Sequence, residues 1–195
     1  MEKSYQDRDI NNQPYQYFFY ASESCVPLAA YSLFIDYIVK HQKGFLSHRL
    51  EPSRYHSSLK SYIARDDFSK MRGQGWLLPR SLVELLLKHA STNIPLFKPI
   101  PCPTEHYFIN FFLHYLSRKE IDRLLINRPL TFFNWKEGSK LHPKEYHSVS
   151  PELIADLYHR NYLCMRKVHS SVKIDLYIPL EPSKFRDLDK IIDSI

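Results

Sequence analysis

The chain has 195 residues and a mass of 23.3 kDa, the size of one domain with a loose terminus, which leaves no room for a second catalytic domain. Hydrophobic residues make up 44% and charged residues 25%, the balance of a folded globule, and four Gly against thirteen Pro, with no G-x-G-x-x-G or G-x-x-x-x-G-K-[ST], argue against kinase, dehydrogenase and GTPase folds. The net charge of +6 is spread over residues 40–72, with eight basic and three acidic residues, and residues 118–173, with eleven and six. That dispersal fits solvated faces and at most weak, non-specific RNA binding.

Residues 1–15 are polar and aperiodic and are predicted to form a flexible arm without a signal or transit pattern. Residues 16–195 are predicted as a single helix-rich α+β domain with a few short strands. Tyr17 to Tyr20 suits a short strand. Ser24 and Pro27 then open a predicted helix that runs to Val39 and ends before Gly44. Broken by Asp36, its apolar run falls short of the ~20 residues a membrane span needs. Residues 54–65 are ambiguous, and Gly73 and Gly75 mark a turn. Leu82, Leu85, Leu86 and His89 follow at helical spacing, with Pro79 in the first turn. Past a Pro-rich stretch, residues 105–116 read as an aromatic helix. Ser117 and Glu120 form a capping box, and Ser150 with Pro151 starts a last helix. Residues 168–178 alternate and are predicted to be a strand.

Three constellations could carry chemistry. Cys25, placed where the predicted helix begins, could be a cysteine-peptidase nucleophile with its pKa lowered by the helix terminus, served by His169 and Asp175. Against it, a Cys at a helix start is commonly just small and apolar. Cys25, Cys102 and Cys164 are odd in number and far apart, which points to a reducing compartment and fits no zinc knuckle. The tetrads His56-Ser57-Ser58-Leu59 and His169-Ser170-Ser171-Val172 resemble the paired H-x-[ST] strands of 2H phosphoesterases, where two His act as acid and base. Surface or structural histidines account for the same spacing.

The third is Leu78-Pro79-x-x-Leu82 followed, after twelve intervening residues, by Pro95. It resembles the minimal F-box of the polerovirus P-zero silencing suppressors, set on a short Leu-rich helix whose aliphatic ridge could dock into an adaptor groove. Ser53-Arg54-Tyr55 upstream and Tyr177-Ile178-Pro179 near the end resemble the same family, whereas its Gly-Trp-Gly element is only echoed by Trp135 and Gly138. The resemblance implies a viral, non-enzymatic suppressor of RNA silencing in the host cytoplasm. It would link a SKP1-like adaptor protein of a ubiquitin ligase to Argonaute, with Leu78, Pro79, Leu82 and Pro95 as the adaptor-binding residues and with no cofactor or metal. A core helix beginning with Leu-Pro, a 2H phosphoesterase, a Cys25 peptidase and a small-RNA-binding suppressor remain the alternatives.

Overall fold

Every strand among the described residues is two or three residues long, so the sheets are held by register and by the helices packed on them. The computed structural model describes residues 16–28, 31–73, 75–139 and 142–172. In chain order the elements are β1 (Tyr17–Phe19), β2 (Val26–Pro27), α1 (Tyr31–His41), β3 (Gly44–Phe45), β4 (His48–Leu50), β5 (Ser69–Met71), β6 (Leu77–Pro79), α2 (Arg80–Phe97), α3 (Thr104–Tyr115), α4 (Arg118–Leu124), β7 (Leu125–Ile126), β8 (Thr131–Phe133), α5 (Pro151–His159) and β9 (Cys164–Arg166). Three single-turn 3-10 helices, Pro52–Arg54, Ser57–Leu59 and Arg65–Asp67, join β4 to β5. The fold class is mixed α+β, as expected. The described residues group into two compact units, one from the residues up to Tyr20 and from His41–Pro129, the other from Ala21–Lys40 and from Leu130 onward.

In the first unit a four-stranded sheet runs β1-β6-β3-β7, antiparallel except for the parallel β3/β7 pair. Phe18 faces Leu78 across β1/β6, and Phe45 meets Leu77 on the other side. Gly44 is required where β3 squeezes between its neighbours: a Cβ there would meet the Leu77 carbonyl oxygen at 2.6 Å and Leu125 Cδ2 at 2.7 Å. It is a strand residue, and not the helix terminator its position in the sequence predicts. Leu82, Val83 and Leu86 of α2 pack with Ile109, Phe111 and Phe112 of α3 into the core. Leu59, Tyr62, Phe68, Phe97 and Ile100 form a second cluster under the 3-10 turns. A two-stranded antiparallel sheet pairs β4 with β5, His48 opposite Met71 and Arg49 opposite Lys70. Gly73 and Gly75, where a turn is predicted, both have positive φ, and the Ser117/Glu120 capping box closes on itself as expected.

In the second unit β2-β9-β8 form a three-stranded sheet, β2/β9 antiparallel and β8/β9 parallel. Leu28, Ile154, Leu157 and Met165 make its core, and α5 starts as predicted, with the Ser150 side chain accepting the Leu153 N–H. Two expectations are corrected here. Residues 26–27 are strand, not helix, because they pair with β9 and the Leu28 N–H bonds the Leu163 carbonyl, which delays α1 to Tyr31. The late strand falls at Cys164–Arg166: Val168 makes only an isolated bridge to Tyr146, and residues 173–178 of the predicted strand lie outside the described residues, as do the predicted arm 1–15 and Tyr177-Ile178-Pro179.

Candidate active site

The Leu-Pro motif does not form an exposed ridge. Leu78 is 0% exposed and Leu82 2%, because Leu77–Pro79 is a strand flanked by β1 on one side and β3 on the other. Half-buried Pro79 ends that strand in register with Tyr17. Pro95 does not close the helix either; it lies inside α2, which continues to Phe97. Near a helix end the lost N–H costs a single ladder bond, so the last turn survives.

The two His-Ser-Ser tetrads turn out to be the same local cap built twice. His56 Nδ1 accepts the Ser58 N–H at 3.1 Å and lies 2.9 Å from Ser58 Oγ; His169 Nδ1 accepts the Ser171 N–H at 3.2 Å and lies 2.7 Å from Ser171 Oγ. Neither histidine sits on a strand, as the phosphoesterase reading requires. Cys25 precedes a strand instead of opening a helix, its Sγ 3.5 Å from Ser22 Oγ, so the helix-terminus argument for a reactive thiolate is lost. Its nominal partner Asp175 lies outside the described residues. On the same sheet, burial, with a lesser effect from Cys25, pushes the Cys164 thiol up to about 12.

A different group of polar side chains is drawn together where α3 packs on β5. The sequence Thr104-Glu105-His106 begins α3, and Asn110 follows one turn after His106 on the same face. His106, Asn110 and Ser69 are all 0% exposed. The Asn110 carboxamide spans the Ser69 peptide, its Oδ1 accepting the Ser69 N–H at 2.8 Å and its Nδ2 donating to the Ser69 carbonyl at 2.7 Å and to the His106 carbonyl at 2.7 Å. His106 Nδ1 lies 3.2 Å from the same Ser69 carbonyl and its ring stacks on Phe68. With a carbonyl as partner, Nδ1 carries the hydrogen. Burial holds the imidazole below its ordinary range, so it stays neutral.

That clamp brings the residues just outside it into contact. Glu105, in the first turn of α3, pairs with Lys70, the residue after Ser69, at 2.8 Å. Their side chains are 34% and 22% exposed, whereas the pairs Arg118–Asp67 and Arg160–Asp156 are more than half exposed throughout. Arg49 is cross-strand from Lys70 and Arg72 is two residues beyond it, so by the pleat all three cations belong to one face of the β4/β5 pair. The result is a half-open carboxylate oriented by an ammonium, while Arg49 on the same face is itself paired with Glu51 at 3.1 Å.

The second unit carries an exposed aromatic on a fixed loop. Trp135 is 52% exposed. Before it, Asn134 Nδ2 donates to Glu137 Oε1 at 2.9 Å and to Tyr146 Oη at 3.0 Å, and its carbonyl accepts the Lys144 N–H at 2.8 Å. Lys144 Nζ also pairs with Glu137. Gly138 is packed so tightly that a Cβ would meet the His142 carbonyl at 2.4 Å. Back in the first unit, a cleft of about 350 Å³ between α2 and α3, lined by Leu86, Ala90, Ile94, Phe97, Tyr107 and Phe108 among others, is almost wholly apolar and brings no acid or base together.

A carboxylate held against a cation with an open side is placed where it can take up a proton. A model of the Core-2/I-branching enzyme family matches residues 8–158, and the chain belongs to that family. No curated protein and no solved structure matches it. Membership of this glycosyltransferase family overturns the resemblance to the P-zero suppressors, and with it the reading of the chain as a non-enzymatic F-box adaptor joining a SKP1-like protein to Argonaute. The phosphoesterase, peptidase and small-RNA-binding alternatives fall with it. Glu105 escaped the sequence reading. Its signal is a Glu-His pair and an Asn four residues after the His, polar side chains on one stretch of a mostly apolar helix.

Proposed function

We propose that the chain transfers a glycosyl group from a nucleotide-activated sugar to a hydroxyl of a saccharide acceptor, with Glu105 as the general base. As the acceptor oxygen attacks the anomeric carbon, its proton passes to the Glu105 carboxylate and the bond from that carbon to the donor's phosphate oxygen breaks. The electron pair leaves with the nucleotide. Lys70 keeps the carboxylate oriented. The observation that carries the reading is the Glu105–Lys70 pair, half-open at the start of a clamped helix in a chain of a glycosyltransferase family.

In the second unit, Trp135 is by itself a candidate saccharide-binding surface. Sugar rings present an apolar face of C–H bonds, and a large aromatic fixed on a rigid loop with polar neighbours is a surface on which such a face stacks. Assay of the full chain against a panel of UDP- and GDP-sugars, with mono- and oligosaccharide acceptors and detection of the released nucleoside diphosphate, tests the proposal. Acceptor-dependent release that Glu105→Gln abolishes supports it. Release that is untouched by Glu105→Gln removes Glu105 from the base role.

A further inference from the structure

We propose that Asn110 is the positioning residue of the transfer site, a proposal that rests on the reading of Glu105 as the base. Asn110 touches neither Glu105 nor Lys70 in any hydrogen bond described above. It acts one residue away from each: its carboxamide binds both polar atoms of the Ser69 peptide, next to Lys70, and the carbonyl of His106, next to Glu105. The two bonds to Ser69 fix the register of α3 on β5, and the third holds the carboxamide against its own helix next to Glu105. A helix sliding by one residue would move by about 1.5 Å and carry the carboxylate off the ammonium. All three bonds are made in a dry interior, where they are short and directional and where no water can replace them.

A merely structural polar residue would affect stability and nothing else. A positioning residue must act on turnover through Glu105, and a double-mutant cycle separates the two. Asn110→Ala should lower kcat by roughly 10- to 100-fold, the effect of displacing a reacting group by about 1 Å, with the donor KM changed less than about twofold. In a Glu105→Gln background, where there is no base left to misplace, the same substitution should change the residual rate by less than about twofold. Activities are compared per folded molecule well below the melting temperature. Ile100→Ala, a buried truncation in the same unit, serves as the control that loses stability and keeps kcat.

If Asn110→Ala does not fold, the isosteric Asn110→Asp is read in the same cycle, since it fills the same space and loses donated bonds. The proposal is overturned if Asn110→Ala keeps full kcat, or if it lowers the rate by the same factor with and without Glu105. A Glu105→Gln variant that retains wild-type activity overturns the base reading itself. That result is seen before Asn110 is touched, so the two failures are told apart.

Discussion

Lys70 Nζ lies 2.8 Å from Glu105 Oε2, and the two residues come from elements brought together by the polar clamp beneath them. Glu105→Gln keeps the shape and removes the base. The expected outcome is a loss of kcat of about 10²- to 10⁴-fold. Stability should change little, because a partly exposed pair contributes about 1 kcal/mol or less. Thermal melts alongside turnover assays check both halves; a large fall in melting temperature would mean the pair is structural.

Trp135→Ala should raise the acceptor KM while leaving the melting temperature nearly unchanged, since an indole half in solvent gives little packing energy. Steady-state kinetics with the acceptor varied at fixed donor provide the measurement. An unchanged acceptor KM would remove Trp135 from saccharide binding.

Leu78→Ala addresses the corrected motif. Truncating a fully buried Leu costs ~2 to 5 kcal/mol, so the denaturation midpoint should fall markedly. A variant as stable as the parent would contradict the burial of Leu78 in the central strand.

Acid should weaken the first unit through His48, which burial, and then Arg118 and Arg72, hold down at about 4 against an ordinary 6.5, with Asp122 opposing. Between those values the unfolded chain binds a proton that the folded chain does not. Stability contributed by the neutral ring is therefore present above pH 6.5 and is lost as pH falls toward 4. Urea midpoints at pH 7 and pH 5 should differ, and His48→Gln should narrow the gap. An unchanged gap would place the acid sensitivity elsewhere.

Thiol chemistry should follow exposure. Cys102 is exposed, whereas Cys164 is buried with its thiol pushed up to about 12. A maleimide should label Cys102 in the native protein and reach Cys164 only after denaturation. Mass mapping of the labelled peptides decides it.

Local signals were the legible part of the sequence. The Ser117/Glu120 box and the Ser150-Pro151 start are written in four or five consecutive residues and hold in the structure. The aromatic helix, read over residues 105–116, is found at Thr104–Tyr115. What depends on distant pairing was not legible. Leu77-Leu78 before Pro79 reads as the start of a helix until β1 and β3 flank it, and Pro27 reads as a helix opener until β9 pairs with it. The candidate site is of this second kind. Ser69 and Asn110 are separated by 41 positions, and nothing near either one announces the other.

The same carboxamide has a further effect, on assembly. Leu50 and Ser69 face each other across β4/β5, while the Glu51 N–H bonds the Phe68 carbonyl. Alternation in an antiparallel ladder therefore turns the Ser69 N–H and C=O away from β4, toward the open margin of the ribbon. Such a margin is a template on which an extended segment of another molecule can add. Asn110 occupies both groups of Ser69, so at that residue the margin presents a side chain and no free donor or acceptor for a foreign strand.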